Sequence, residues 1–587
     1  MKNRRWLSIV MAMLLVVSLA ACGGSNNAGN SGGSTAAPSG GNTASAGNKT
    51  ETGKTETKTD TAQPAEPQGG DDAGAGAAFG TWEEILSRDY SKPITIEYAG
   101  VQLTEGVDFN HGSEYTSWWS DTFNVEWDAT VLTFENWTQR MNTWINADDL
   151  PDWSVWNFNA GDANNYVEQE LFKRFPDDWK ERWPNVAASQ DLVPLAKWCE
   201  EKYGGTYIIF RPVFATNYPA DVIVGHMSVF LRKDWAEQAG YDLSKNIASN
   251  TITLDEFIAY NQAVKDAGIT EYPFYGSTGT FIGMIDSVAE ATGAGQNAYY
   301  KGSDGKYHWG PAEPETGVKE AVRKLKQMYD NGLVYPDFFT IVNYDYIPYY
   351  NTSGDAASYF GEGIVARGDN NARLMRENLG LDYWDCGIQL ILTDENGVNY
   401  GDPSTNYWAT NIISPYIDDE KFERLMDIWD FSCTAYGQLC VRMGVPGVDW
   451  EYDADGNPVN LLAGTPEESV AVKYADGNAP VIYGNMVVLS DDFSFANPAF
   501  DERARARVVE IYKTRAKITS IRDEDVDWDL LSYSSQALNL ASMTYADEYA
   551  NIITKAGDFD TNYDQWVKDK MALVQPVLDD MNALFTE

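Results

Sequence analysis

Residues 136–159 read NWTQRMNTWINADDLPDWSVWNFN, and this stretch sets the architecture. Trp137, Met141 and Trp144 recur at i, i+4 and i+7, which is one apolar face of a helix. Leu150-Pro151-Asp152 ends that helix, and WSVWN resumes as a strand. Upstream, KPITIEYAG (Lys92–Gly100) alternates Ile94, Ile96 and Tyr98, a strand pattern, and FNVEWDA (Phe123–Ala129) reads as a second strand. Strand, helix and strand in this rhythm predict βαβ units and an α/β lobe.

The same rhythm continues along the chain. Gly225–Asp242 predicts a strand and a short helix. Thr253 and Glu256 have the spacing of a capping box and open a helix that runs to about Gly268. Val318, Val322, Leu325 and Tyr329 form one stripe of a helix that stops at Gly332. SYFGEGIVARGDNN (Ser358–Asn371) reads as a strand ending in a polar turn. Asn406–Leu439 reads as a strand, then a helix with Phe422, Leu425, Met426 and Trp429 inward. Asp304-Gly305, Asn396-Gly397 and Asp455-Gly456 are hairpin signals. The folded part starts near Thr81, and its roughly 500 residues exceed what one core holds, so two lobes are expected.

The N-terminus carries a different message. Lys2, Arg4 and Arg5 precede an apolar run from Trp6 to about Leu19. That run is shorter than the ~20 residues needed to span a bilayer and has the layout of a secretory signal. Leu19-Ala20-Ala21-Cys22 resembles the lipobox of bacterial lipoproteins. The resemblance implies a signal peptide over 1–21 and a lipid-carrying Cys22, hence a membrane anchor on the outer face of the cell. Residues 22–80 hold almost no aliphatic or aromatic side chains, so they are expected to form a disordered Gly/Ser/Thr-rich tether. Gly29-Asn30-Ser31-Gly32-Gly33 fits a hydrolase elbow in letters alone, because no strand or helix flanks it.

Composition narrows the function. The formal net charge of −44 argues against nucleic acid or an anionic surface as partner. Cys199, Cys386, Cys433 and Cys440 show neither a C-x-x-C pair nor histidine spacing, so no zinc site is expected. On one straight helix Cys433 and Cys440 would lie about 10.5 Å apart, too far to bridge, and all four read as free thiols. His111, His226 and His308 fall in no ligand spacing, and no phosphate-binding glycine motif is present. Carboxylates are abundant, but nothing singles out a glycosidase pair. The 20 Trp and 34 Tyr stand out. Aromatic rings cover the flat C–H faces of sugars while Asp, Asn, Gln and Arg bond the hydroxyls. Trp137, Trp144, Trp235 and Trp429 are nevertheless assigned to packing.

Several blocks, in order, carry a resemblance. They are the lipobox, LPDWSVWN, FLRKDWAEQAG, the Thr253–Ala267 helix, MYDNGLVYPDF, YFGEGIVA, VPGVDWEYDADGNPV and ITKAGDFDTNYDQWVKDK. This order resembles extracellular solute-binding proteins of family 1, the lipoprotein receptors of sugar ABC importers. The resemblance implies a two-lobe α/β fold of the periplasmic-binding-protein type II class, with a hinge and an interlobe cleft. Lobe one would take 81–220 and 400–490, and lobe two 221–399 and 491–587. The implied function is capture of an oligosaccharide or related sugar for delivery to the permease, without catalysis or cofactor, by a monomer touching the membrane only through its lipid. Many long members carry a calcium loop after the Thr253-type helix. Here that place reads KDAGITEYP (Lys265–Pro273) and lacks the alternating oxygen ligands, so no metal is expected; DADGN at Asp453 reads as a hairpin turn.

The resemblance also places ligand contacts at strand ends facing the cleft, as open α/β sheets do. In lobe one these are Gln102 and Asp108 after the first strand, and Trp156, Asn157 and Asn159 after WSVW. In lobe two they are Ser277 and Thr278 in YGSTG, and Arg367, Asp369 and Asn370 after EGIVA. Tyr407 and Trp408 lead the returning strand. The competing expectation is a surface-tethered glycan-active hydrolase or lyase, which needs an identifiable acid and base. An adhesion protein would instead show many regularly spaced strands.

Overall fold

The computed structural model describes residues 81–585 apart from 102, 104, 134–135, 157–159, 213–226, 292–297, 343, 402–406, 466–469, 475–480, 487–497 and 523–545. The lipobox cysteine Cys22 and the tether lie outside the described residues.

In chain order, strand β1 (Ile94–Val101), helix α1 (Glu114–Phe123), strand β2 (Val125–Leu132), helix α2 (Trp137–Ala147) and strand β3 (Trp153–Trp156) open the fold. After them come strand β4 (Ile208–Pro212), strand β5 (Met227–Arg232), helix α3 (Lys233–Ala239), strand β6 (Thr251–Thr253) and helix α4 (Leu254–Asp266). Helices α5 (Thr278–Val288) and α6 (Val318–Asp330) lead to strand β7 (Ser358–Glu362), helix α7 (Val365–Leu379) and strand β8 (Gly387–Thr393). Strand β9 (Tyr407–Ile413), helices α8 (Asp419–Cys433) and α9 (Ala435–Met443), and helix α10 (Glu502–Ile518) lie nearer the C-terminus.

Two sheets organise these elements. A five-stranded sheet has the order β2-β1-β3-β9-β4, and a four-stranded sheet the order β6-β8-β5-β7. In the first, β1 runs parallel to β2 (Ile94 opposite Val125) and to β3 (Tyr98 opposite Trp153). The βαβ unit of residues 125–156 therefore steps over β1 rather than pairing its own strands. β9 enters from far along the chain and lies antiparallel between β3 and β4, with Asn411 facing Val155 and Ile209. In the second sheet β8 is parallel to β6 and antiparallel to β5, and β5 is antiparallel to β7.

Each sheet has its own core. Trp119, Trp153, Trp183 and Trp429 are buried with the first, drawn from residues 85–210 and 408–486. Phe257, Phe274, Phe281 and Leu325 are buried with the second, drawn from residues 229–392 and 549–581. Among the described residues ion pairs respect this division: Lys421–Asp152 lies within the first group, and Arg323–Asp560 within the second. Helix α2 buries Trp137, Met141 and Ile145, while Trp144 is half-buried under Arg140. The Thr253 capping box forms as expected, with Glu256 N–H donating to Thr253 Oγ1 at 3.2 Å and Thr253 N–H to Glu256 Oε2 at 3.0 Å.

Two expectations are corrected. The stretch after EGIVA is helix α7, not a polar turn: Asp369, Asn370 and Asn371 sit in its first two turns, and the helix-forming run Leu374–Leu379 carries it on. Helix α8 does not continue into α9. Thr434 between them is extended, with φ −70° and ψ 157°, and it caps α9, its Oγ1 accepting Gly437 N–H at 2.9 Å. Cys433 and Cys440 therefore lie on different helices; Cys199, Cys386, Cys433 and Cys440 are all free thiols.

Candidate ligand-binding site

A crevice of about 560 Å³ opens at the carboxyl edge of β1 and β2. The loop Glu105–Asn110 forms one wall; Trp127, Ala129 and Val131 of β2, with Thr133 and Asn136, form the other. β2 is the outermost strand, so its outward main-chain groups need partners. Asn110 supplies them: Trp127 N–H donates to Asn110 Oδ1 at 2.7 Å, and Asn110 Nδ2 donates to Trp127 C=O at 3.2 Å. The side-chain amide thus acts as one rung of an extra strand and seats the loop against the sheet. Trp127 itself is buried, and its Nε1 donates to Tyr483 Oη at 2.9 Å.

Asp108 shapes the loop. Its Oδ1 accepts the N–H groups of Asn110 at 2.9 Å and His111 at 3.0 Å. The His111 bond first, then the Asn110 bond, holds its carboxyl below the usual carboxylate range. At the far end, Thr133 N–H donates to Asn136 Oδ1 at 3.0 Å and Asn136 N–H to Thr133 Oγ1 at 3.2 Å, a reciprocal pair just ahead of α2. Of the expected contacts, Asp108 lies in this crevice. The structure adds Glu105, Asn110, Trp127, Thr133 and Asn136, which sequence reasoning misses. The Thr133-x-x-Asn136 spacing before a helix is the signal that could have pointed to two of them.

Gln102, Asn157 and Asn159 lie outside the described residues. Trp156 is 1% exposed, its ring 5.8 Å from that of Tyr166. Tyr407 and Trp408 begin β9 where its register against β4 shifts. Ala409, in that shift, has φ +64°, a left-handed conformation that side-chain-bearing residues seldom adopt. Beside this irregularity, the Arg211 guanidinium stands 5.2 Å from the centre of the Trp408 ring. Tyr407 meets Phe210 edge-on at 4.9 Å. Arg211 is buried, and burial, with Arg442 nearby, lowers its pKa to about 9.

On the second sheet, the expected residues cluster at the carboxyl end of β7 and two helix starts. Ser277 caps α5, its N–H donating to Thr280 Oγ1 at 2.9 Å, and Thr278 is the first helical residue. Arg367 is buried in α7, with Nη2 donating to Glu362 Oε2 at 2.8 Å and its guanidinium 5.4 Å from the Tyr344 ring. Asp369 Oδ1 accepts the Asp501 N–H at 2.8 Å, and Asn370 Oδ1 accepts Arg373 Nη2 at 2.9 Å. The structure therefore gives Arg367, Asp369 and Asn370 partners inside the protein. Gln389 Nε2 donates to Ser228 Oγ at 3.2 Å and Gly363 C=O at 3.1 Å, which fixes the turn between β7 and α7.

No protein-family model matches this sequence, and no curated protein matches it. Solved structures do. One is the Streptococcus pneumoniae ABC-transporter substrate-binding protein FusA in complex with kestose, with a TM-score of 0.60 at 15% identity over 83% of this chain and 98% of that one. The alginate-binding protein AlgQ2, solved without calcium ion, gives 0.59 at 14% identity over 84% of this chain and 98% of that one. The N-glycan transport solute-binding protein NgtS of Streptococcus pneumoniae gives 0.56 at 12% identity over 84% and 98%. With two large sheets packed in separate buried clusters and an antiparallel strand returned into the first sheet, the described chain has the two-lobe α/β fold of these solute-binding proteins.

Proposed function

We propose that this protein is the substrate-binding lipoprotein of an ABC importer, holding an oligosaccharide or related sugar between its lobes and delivering it to the permease. The observation that carries the reading is the extent of the likeness: 98% of each solved structure's length is covered by this chain. The aromatic richness and the crevice of about 560 Å³ support a saccharide as ligand. In this reading 81–220 with 400–490 form lobe one and 221–399 with 491–587 form lobe two. Cys22 carries the lipid after removal of 1–21, which puts the receptor on the outer face of the membrane as a monomer. Gln102, Asp108, Asn157 and Asn159 face the ligand from lobe one, and Ser277 and Thr278 from lobe two. Trp156, Tyr407 and Trp408 supply the aromatic floor beneath it. Closure needs only a ligand that binds the closed form better than the open one, and no bond is made or broken.

The test is a thermal-shift screen of oligosaccharides, with product analysis of each binder. A ligand at 100 times its dissociation constant adds about 2.7 kcal/mol of stability, a shift of a few degrees. Binding without new products supports the receptor. Conversion to shorter or unsaturated fragments overturns it in favour of a surface-tethered hydrolase or lyase.

A further inference from the structure

We infer that the saccharide taken by the lobe-one crevice is non-acidic, uncharged or amine-bearing, and that uronate-type chains are rejected; this rests on the receptor reading. The described lining carries two carboxylates, Glu105 and Asp108, and no lysine or arginine. Both carboxylates are exposed. Glu105 enters no ion pair among the described residues, and Asp108 is held ionised by two main-chain N–H donors.

The neutral polar groups of the crevice are largely engaged. Both ends of the Asn110 amide serve the main chain of Trp127, and Asn136 Oδ1 serves Thr133 N–H. What remains to meet a ligand is the Asn136 Nδ2 and Thr133 hydroxyl donors and the charged oxygens of Glu105 and Asp108; the carboxylates accept hydrogen bonds from sugar hydroxyls and ammonium groups and repel another carboxylate. A compensating cation has to come from outside this lining; exposed Arg140, one turn along α2 from Asn136, stands 5.5 Å from the centre of the Trp144 ring and is not among the lining residues. Arg367 faces Glu362 at 2.8 Å inside the second lobe. Arg211 is 1% exposed, and neither it nor Arg442 lines the crevice. His111, whose main chain bonds Asp108, is the nearest titratable base in the loop. A net charge of −44 extends the same sign of field over the whole molecule.

Calorimetric titration of the full chain in detergent tests this, with neutral, amine-bearing and uronate oligosaccharides of matched length at low and high salt. The expected result is that the tightest binder is neutral or amine-bearing. Uronate binding should rise about tenfold in Glu105→Gln/Asp108→Asn at low salt, a gain that added salt erases. Both substitutions keep shape, and Asp108→Asn retains an Oδ1 acceptor for the loop. If a uronate binds tightest to the unaltered protein, or the double variant leaves ranking and salt dependence unchanged, the inference falls while the receptor reading stands. If no saccharide of any charge binds, the receptor reading falls and takes this inference with it.

Discussion

Arg367 Nη2 lies 2.8 Å from Glu362 Oε2, and the two side chains are 4% and 0% exposed. Glu362 ends β7 and Arg367 belongs to the first turn of α7, so the pair closes the strand-to-helix turn from inside. Burial pushes the Glu362 carboxyl up, and Arg367 works against that shift. Replacing one partner strands a buried charge, whereas replacing both does not. Arg367→Met is expected to cost about 3–5 kcal/mol, and Arg367→Met/Glu362→Gln to recover much of it. Chemical denaturation checks both. Unchanged stability with lost saccharide binding in Arg367→Met would instead make Arg367 a ligand contact.

Asp369 has a similar double reading. Its carboxylate accepts the N–H of Asp501, the cap of α10, and so joins two helices. Asp369→Ala is expected to lower stability by about 1–2 kcal/mol without any ligand present. A melting temperature equal to that of the unaltered protein, together with weaker saccharide binding, would place Asp369 in the binding site.

Ala409 adopts φ +64° within the irregular part of β9. Glycine meets no steric penalty there, although it gains freedom in the unfolded chain. Ala409→Gly is expected to raise stability by up to about 1 kcal/mol, and Ala409→Val to lower it by more than that. Thermal melts of the two variants moving in the same direction would contradict the strain.

Lys265 occupies the place where the sequence departs from the calcium-loop pattern. Its Nζ donates to Gly332 C=O at 2.6 Å and to Glu271 C=O at 3.0 Å, tying the loop after α4 to the end of α6. The ammonium thus does part of what a bound cation does for a loop. EDTA is expected to leave the melting temperature unchanged, and Lys265→Met to cost about 1–2 kcal/mol. A fall of many degrees with EDTA, reversed by calcium, would show a metal site.

His308 bridges two carboxylates, Asp304 at 3.0 Å and Glu313 at 3.3 Å, with the Tyr300 ring 5.6 Å away. Burial acts to lower its pKa, but the hydrogen bonds to Asp304 and Glu313 prevail and raise it above the ordinary histidine value. A raised folded-state value means that the stabilisation is complete below the unfolded value and is lost as pH rises through the folded one. The melting temperature of the unaltered protein should therefore fall, relative to His308→Gln, as pH rises past about 6.5. Parallel pH profiles for the two proteins would show that the bridge adds nothing.

Much of the local structure is legible in the sequence, because it depends on neighbours a few residues apart. The period of Ile94, Ile96 and Tyr98, the Thr253–Glu256 cap, and the Asp304-Gly305 and Asp455-Gly456 turns all form the elements they indicate. The order of blocks likewise points to the two-lobe fold. The polar letters after EGIVA mislead, since Asp and Asn suit a turn and an early helical turn alike, and the helix-forming residues downstream decide between them. Tertiary structure alone decides the rest. β9 reaches its place between β3 and β4 from some 250 residues away, so the register that brings Trp408 beside Arg211 has no local signature. The crevice likewise joins a loop to the edge of β2 through Asn110 and Trp127, and the guanidinium of Arg367 turns to Glu362 rather than outward. The sequence by itself determined which residue types were available; which of them face a ligand depends on how packing disposes of the others, since a buried polar group must find a partner and is then no longer free to bind.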